Sequence, residues 1–158
     1  MRGKEEERVI QKDLIYIHLK ADTKEEIITR LADKLLEAGK VKDSFKTAVL
    51  KREVEYPTGL PLGKYNMAMP HTFAAHVIEP TIAVAKLDEP VLFTEMGTKD
   101  TELPVSLVMM MAISDPREQV GMLKKILRIF SEEAALEALM KSEDVDEMYK
   151  TLRYIDEK

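Results

Sequence analysis

The stretch from Leu103 to Ile113 constrains this chain more than any other. It reads Leu-Pro-Val-Ser-Leu-Val-Met-Met-Met-Ala-Ile and runs for 11 residues. A bilayer-crossing helix needs about 20 apolar residues, so no membrane span is expected. Alternation of period two is missing as well. A strand over residues 104–113 is apolar on both faces, as a central strand covered by helices on both sides would be. The rest of the chain must then supply two helical layers.

Helix signals lie on either side of it. Thr23-Lys-Glu-Glu26 has the form of a capping box. It opens a helix whose Ile27, Ile28, Leu31, Leu35 and Leu36 share one stripe, with Gly39 at C′. A second helix starts at Asp43 or Ser44 and carries Phe45, Ala48, Val49 and Arg52; Tyr56-Pro-Thr-Gly59 ends it. Asp115-Pro-Arg-Glu118 combines an N-cap, a proline at N1 and a Glu at N3. The helix it opens is expected to bury Val120, Leu123, Leu127 and Phe130. Two more helices are expected over residues 132–141 and 143–155, the latter capped by Ser142. Besides the central strand, residues 13–19, 66–69, 81–87 and 91–93 read as strands, with Asp88-Glu-Pro90 as the turn between the last two. The expected fold is α/β, a mixed sheet of about five strands sandwiched between helices on both faces. One domain over residues 1–158 is expected, with residues 1–8 as a frayed tail.

Composition removes several chemistries. The chain has no Cys, hence no disulfide, no thiolate nucleophile and no Cys-based metal site. Its 3 His, at positions 18, 71 and 76, leave little material for a His-rich metal site, and no metal or cofactor is expected. With 24 Lys plus Arg against 29 Asp plus Glu, the net charge of −5 opposes non-specific binding to nucleic acid. The charged N-terminus has no signal-peptide apolar segment after it, which points to a cytoplasmic protein. His71 is the most unusual polar position. It follows Met67-Ala-Met69 and Pro70, at the end of a short apolar strand, where binding and catalysis tend to sit on α/β sheets. From spacing alone, His71 and His76 read better as surface or hydrogen-bonded loop residues than as site residues, and His18 reads as structural.

Lys51-Arg-Glu53, Tyr56-Pro-Thr-Gly-Leu60, Met67-Ala-Met-Pro-His-Thr72 and Asp115-Pro-Arg-Glu-Gln-Val-Gly-Met-Leu123 together resemble the fructose/mannitol-type enzyme IIA of the bacterial phosphoenolpyruvate-dependent sugar phosphotransferase system. The resemblance covers residues 13–152. It is greatest to the galactitol branch, through Tyr-Pro-Thr-Gly, the His76-Val77 pair and Glu118-Gln119. It implies a phosphoryl relay: from the phosphocarrier HPr onto His71, through Nε2, and on to a cysteine of enzyme IIB. It implies no cofactor and a cytoplasmic component of sugar uptake. The alternative is an enzyme IIA-like regulator, in which the phosphorylation state of His71 controls a protein partner without sugar transport.

An arriving phosphoryl group brings about −1.5 to −2 of charge and needs donors. Arg52 suits it, because a guanidinium matches phosphate oxygens bidentately. By spacing alone a surface salt bridge with Glu53 or Glu55 fits Arg52 as well; the resemblance selects the phosphate role. The N-terminus of the helix after Asp115 offers a second anion site. The hydroxyls of Thr58 and Thr72 are further candidates, with a simple turn hydrogen bond as the other reading of Thr58. In the fructose and mannitol branches a second histidine stands in a His-Leu-x-x-Leu pattern on that later helix. Here the position is Gln119, which can donate a hydrogen bond but cannot titrate, and His76 is the candidate to replace that histidine.

Overall fold

A computed structural model of the chain describes residues 8–156. In chain order the elements are β1 (Ile10–Leu19), α1 (Lys24–Glu37), α2 (Phe45–Glu55), β2 (Gly59–Leu62), β3 (Tyr65–Ala68), β4 (Thr81–Thr94), β5 (Glu102–Ala112), α3 (Pro116–Phe130), α4 (Glu133–Met140) and α5 (Val145–Leu152). The sheet is mixed, in the order β1-β4-β5-β3-β2. β1 and β4 are parallel, β4 and β5 antiparallel, β5 and β3 parallel, and β3 and β2 antiparallel.

The doubly apolar strand is β5, and it does face two layers. Val108, Met110 and Ala112 join one core with Ile27, Leu31 and Leu35 of α1 and Phe45 and Val49 of α2. Leu107, Met109 and Met111 join the other, with Ile126 and Phe130 of α3, Leu136 and Leu139 of α4, and Met148 and Leu152 of α5. Adjacent residues alternate between cores because successive Cβ atoms leave a strand on opposite sides. The three consecutive methionines are therefore divided between the two layers, and all are buried.

The caps are formed largely as expected. Thr23 Oγ1 accepts the Glu26 N–H at 3.2 Å, while Glu26 reaches back to the Asp22 N–H. Gly39 takes φ +75°, the left-handed C′ conformation that favours glycine. Asp115 caps α3 by accepting the Arg117 N–H at 2.8 Å.

Four expectations are corrected. Residues 88–90 do not separate two strands: β4 runs through them, and the register against β5 shifts between Lys86 and Val91. Such a bulge accommodates Pro90, which has no N–H to give the ladder. Gly59 is not only the end of a turn but the first residue of β2, an edge strand that tolerates Pro61. The cap of α5 is Asp144, which accepts the Glu147 N–H; Ser142 instead donates to the Ala138 carbonyl. Val120 is 54% exposed, because α3 is buried through its C-terminal half at Ile126 and Phe130. Of the expected N-terminal tail, residues 1–7 lie outside the described residues. Arg8 is held by a hydrogen bond to the Tyr149 hydroxyl.

Gly59 has a packing role besides. A Cβ there would stand 2.6 Å from the Thr94 carbonyl oxygen. The Gly59 carbonyl also accepts the Met96 N–H at 2.8 Å. This close approach sets the edge strand, and with it Thr58, against the end of β4.

Candidate active site

β3 and β5 run parallel, and their ladder continues past β3 as Met111 N–H donates to the Pro70 carbonyl at 3.0 Å. The chain then turns away from the sheet at His71. Its Nδ1 lies 2.7 Å from the Met69 carbonyl oxygen. A carbonyl oxygen only accepts, so Nδ1 carries the proton and the lone pair belongs to Nε2. Burial lowers the His71 pKa from the free value of 6.5; the Met69 carbonyl opposes this, and the positive charge of Arg52 adds to it.

A lowered imidazole pKa has a direct consequence. The His71 ring is expected to titrate in an NMR pH series below 6.5, and a midpoint at or above that value would contradict the geometry. The sign follows from linkage: the neutral ring's contribution to stability is present above 6.5. It is lost as pH falls through the folded-state value, because the unfolded chain binds the proton more readily.

Behind His71 lies a buried chain of hydrogen bonds. Glu53 is 3% exposed and accepts both the Thr58 N–H and the Thr58 hydroxyl, each at 2.8 Å. The Thr58 oxygen in turn accepts the Met69 N–H at 3.1 Å. Burial pushes the Glu53 carboxyl up to about 6, although the two Thr58 hydrogen bonds act to lower it. Glu53 was legible in the sequence only as a partner for Arg52. A better signal was available: Phe45, Val49 and Glu53 fall at i, i+4 and i+8, the buried stripe of α2. A carboxylate in such a stripe demands buried donors.

The candidates fall into two groups. Arg52 and Gln119 are brought to the loop that carries His71. The Arg52 guanidinium carbon lies 4.8 Å from the Tyr56 ring centroid and 4.9 Å from that of Phe73. The salt bridge with Glu53 or Glu55 is not formed. Gln119, in the first turns of α3, donates through Nε2 to the Thr72 carbonyl at 3.0 Å.

The other candidates are placed differently. Thr58 has spent its only hydroxyl hydrogen on Glu53, so it has none for a phosphoryl oxygen; the turn hydrogen bond is the reading the structure supports. Thr72 is buried, and what meets Gln119 is its backbone carbonyl. At the N-terminus of α3 the Asp115 carboxylate accepts the Arg117 N–H and sets a negative charge that would repel a second anion. His76 Nδ1 lies 2.7 Å from Ser44 Oγ, and its carbonyl accepts the Lys42 N–H, which fixes it to the start of α2. His18, at φ +60°, meets Asp88 across β1 and β4 at 2.7 Å. Among the described residues no three His, Cys, Asp or Glu form a group that could hold a metal, and no helix is long and apolar enough to cross a membrane.

A family model described as the phosphoenolpyruvate-dependent sugar phosphotransferase system EIIA 2 matches residues 8–155. The chain belongs to this family. It is thus a member of a phosphotransferase family, and the expected α/β sandwich is that of its relatives. The galactitol-specific EIIA component of Escherichia coli (strain K12) is 30% identical over 99 residues, covering 63% of this chain and 65% of that protein. The match therefore spans a little less than two thirds of the length of this curated relative. The crystal structure of the mannitol IIA of Escherichia coli superposes with a TM-score of 0.75 at 26% identity, covering 90% of this chain and 97% of that one. The same mannitol enzyme is also solved in complex with phosphorylated enzyme IIB, with a TM-score of 0.72, 26% identity and coverage of 89% and 94%. This EIIA chain shares with them the sheet and helix arrangement that sets His71 at a strand end.

Proposed function

We propose that this EIIA carries phosphoryl groups in a sugar-uptake phosphotransferase system, accepting them from phospho-HPr on His71 Nε2 and passing them to a cysteine of enzyme IIB. The observation that carries this reading is the 2.7 Å contact between His71 Nδ1 and the Met69 carbonyl. It commits one nitrogen to holding the ring and leaves the other as a neutral nucleophile. In the first transfer the Nε2 lone pair forms a bond to phosphorus while the donor's N–P bond breaks, its electron pair returning to the donor imidazole. In the second, the His71 N–P bond breaks as a thiolate of enzyme IIB attacks. No net proton is needed in either step, and a neutral imidazole is both a competent nucleophile and a good leaving group. Arg52 supplies the positive charge for the transferring group, and Gln119 has a second amide hydrogen beyond the one given to Thr72. The absence of cysteine from this sequence fits the division of labour, since the thiolate then comes from outside it. The mannitol relative solved with phosphorylated enzyme IIB supports the same partner.

The test is a reconstituted relay with phosphoenolpyruvate, enzyme I and HPr. An acid-labile phosphate is expected whose 31P resonance reports an Nε2 linkage, and which discharges when enzyme IIB is added. Attachment through Nδ1, or no label, would overturn the reading. Labelling without discharge to any enzyme IIB would favour the regulatory alternative.

A further inference from the structure

Arg52 is held in an unusual way. Among the described residues it has no carboxylate partner, and both oxygens of neighbouring Glu53 are occupied by Thr58. What it does have is two aromatic rings at 4.8 and 4.9 Å. Tyr56 lies one turn on from Arg52, as the C-cap of α2, and Phe73 lies two residues after His71. Both rings are well exposed, at 59% and 66%, so neither is there to fill a core.

From this geometry, and resting on the phosphoryl-carrier reading above, we infer that Tyr56 and Phe73 are positioning residues that hold Arg52 beside His71 without neutralising it. A carboxylate would also restrain the guanidinium, but it would consume the N–H fork and cancel the charge that a phosphoryl group needs. A ring face attracts the cation through its quadrupole and leaves the N–H donors unspent. The clamp also restrains a side chain that would otherwise sample many rotamers, so less order has to be gained when the phosphoryl group arrives. Because Phe73 belongs to the His71 loop and Tyr56 to the end of α2, the clamp couples the position of the cation to that of the nucleophile.

The inference is tested with phosphoramidate, a small donor that needs no protein docking site. Its P–N bond breaks as the bond to His71 Nε2 forms, and ammonia leaves after taking up a proton from water. Phe73→Leu and Tyr56→Leu are each expected to slow His71 labelling about two- to fivefold, the worth of an exposed cation–π contact. Tyr56→Phe, which keeps the ring face, should restore the rate. In an Arg52→Ala background neither leucine substitution should slow labelling further. In the single variants the His71 titration should move up, in the direction of Arg52→Ala. Leucine variants that label at the wild-type rate, or that slow labelling equally without Arg52, overturn the inference while the relay reading stands. A wild-type protein that phospho-HPr cannot label overturns both.

Discussion

Replacing His71 with alanine is expected to abolish phosphoryl acceptance altogether, with no detectable acid-labile phosphate after incubation with phosphoenolpyruvate, enzyme I and HPr. The reason is chemical. Among the described residues His71 is the imidazole whose Nδ1 is committed to a carbonyl and whose Nε2 faces away from it, beside a guanidinium without a carboxylate partner. His76 offers no substitute, because it is tied through Ser44 and Lys42 to the start of α2. A His76→Ala protein should therefore accept phosphate at close to the wild-type rate. His71→Ala should remain folded, losing about 1–2 kcal/mol from one hydrogen bond and a partly buried ring, which urea unfolding would show. Label on the His71→Ala protein would reassign the acceptor. Loss of label with collapse of the fold would call for His71→Gln, which keeps an amide donor near the Met69 carbonyl but cannot form the phosphoimidazole.

The second large effect is expected at a residue that never meets the phosphoryl group. Thr58→Val preserves shape and deletes one oxygen. That oxygen donates to Glu53 and accepts the N–H of Met69, whose side chain is fully buried. Valine would leave a buried backbone donor unpaired and remove one of two donors from a buried carboxylate. Such losses cost about 2–4 kcal/mol together. Thr58→Ser should recover most of it, because it restores both hydrogen bonds.

The loss should also depend on pH. The Glu53 carboxyl titrates in the folded protein near 6, above its ordinary 4.5. A raised carboxyl pKa means that its contribution is complete below 4.5 and declines as pH rises through about 6, where the buried group must ionise. Removing a donor to the carboxylate pushes its pKa up further. The gap between Thr58→Val and wild type should therefore widen from pH 5 to pH 8 in denaturant unfolding. A constant gap would mean that the Thr58–Glu53 hydrogen bond stabilises the ionised and the protonated carboxyl equally. Because Met69 also anchors His71, the valine variant should accept phosphate more slowly even where it is fully folded.

The parts of the fold that could be read without coordinates are those encoded by neighbours in the chain. Thr23, Gly39 and Asp115 announce helix ends through contacts within about five residues, and all three do what their local chemistry indicates. Ser142 failed as a cap because Asp144 competes two residues later, and both residue types cap well. β2 is not legible in the sequence, because four residues with a proline carry almost no periodicity; its pairing with β3 and the close approach of Gly59 to Thr94 define it. Val120 stays exposed because helical period says which residues share a face but not where along the helix the core stops.

For the site, the strand-end position of the Pro-His-Thr turn and the family resemblance together point to His71, and the resemblance draws attention to Arg52 and Gln119. Thr58 and His76, candidates by residue type, have their polar atoms engaged by Glu53 and Ser44 instead. Residue type announces what a hydroxyl or imidazole can do, whereas its single hydrogen or lone pair goes to whichever partner the fold places beside it. Thr58 gives its proton to Glu53 five residues before it and its lone pair to Met69 11 residues after it. Gln119 meets a carbonyl 47 residues away.

By itself, then, the sequence determined that a strand apolar on both faces must lie between two helical layers, and that an imidazole emerges where a neighbouring strand ends. Both follow from periodicity and from the stiffness of proline, which act within a few residues. Only the tertiary structure decided which nitrogen of His71 is free, that Arg52 meets two rings instead of a carboxylate, and that Glu53 anchors the loop. Each of those depends on the competition among distant groups for one proton or one charge, and that competition is resolved only once the parallel pairing of β3 with β5 has brought them together.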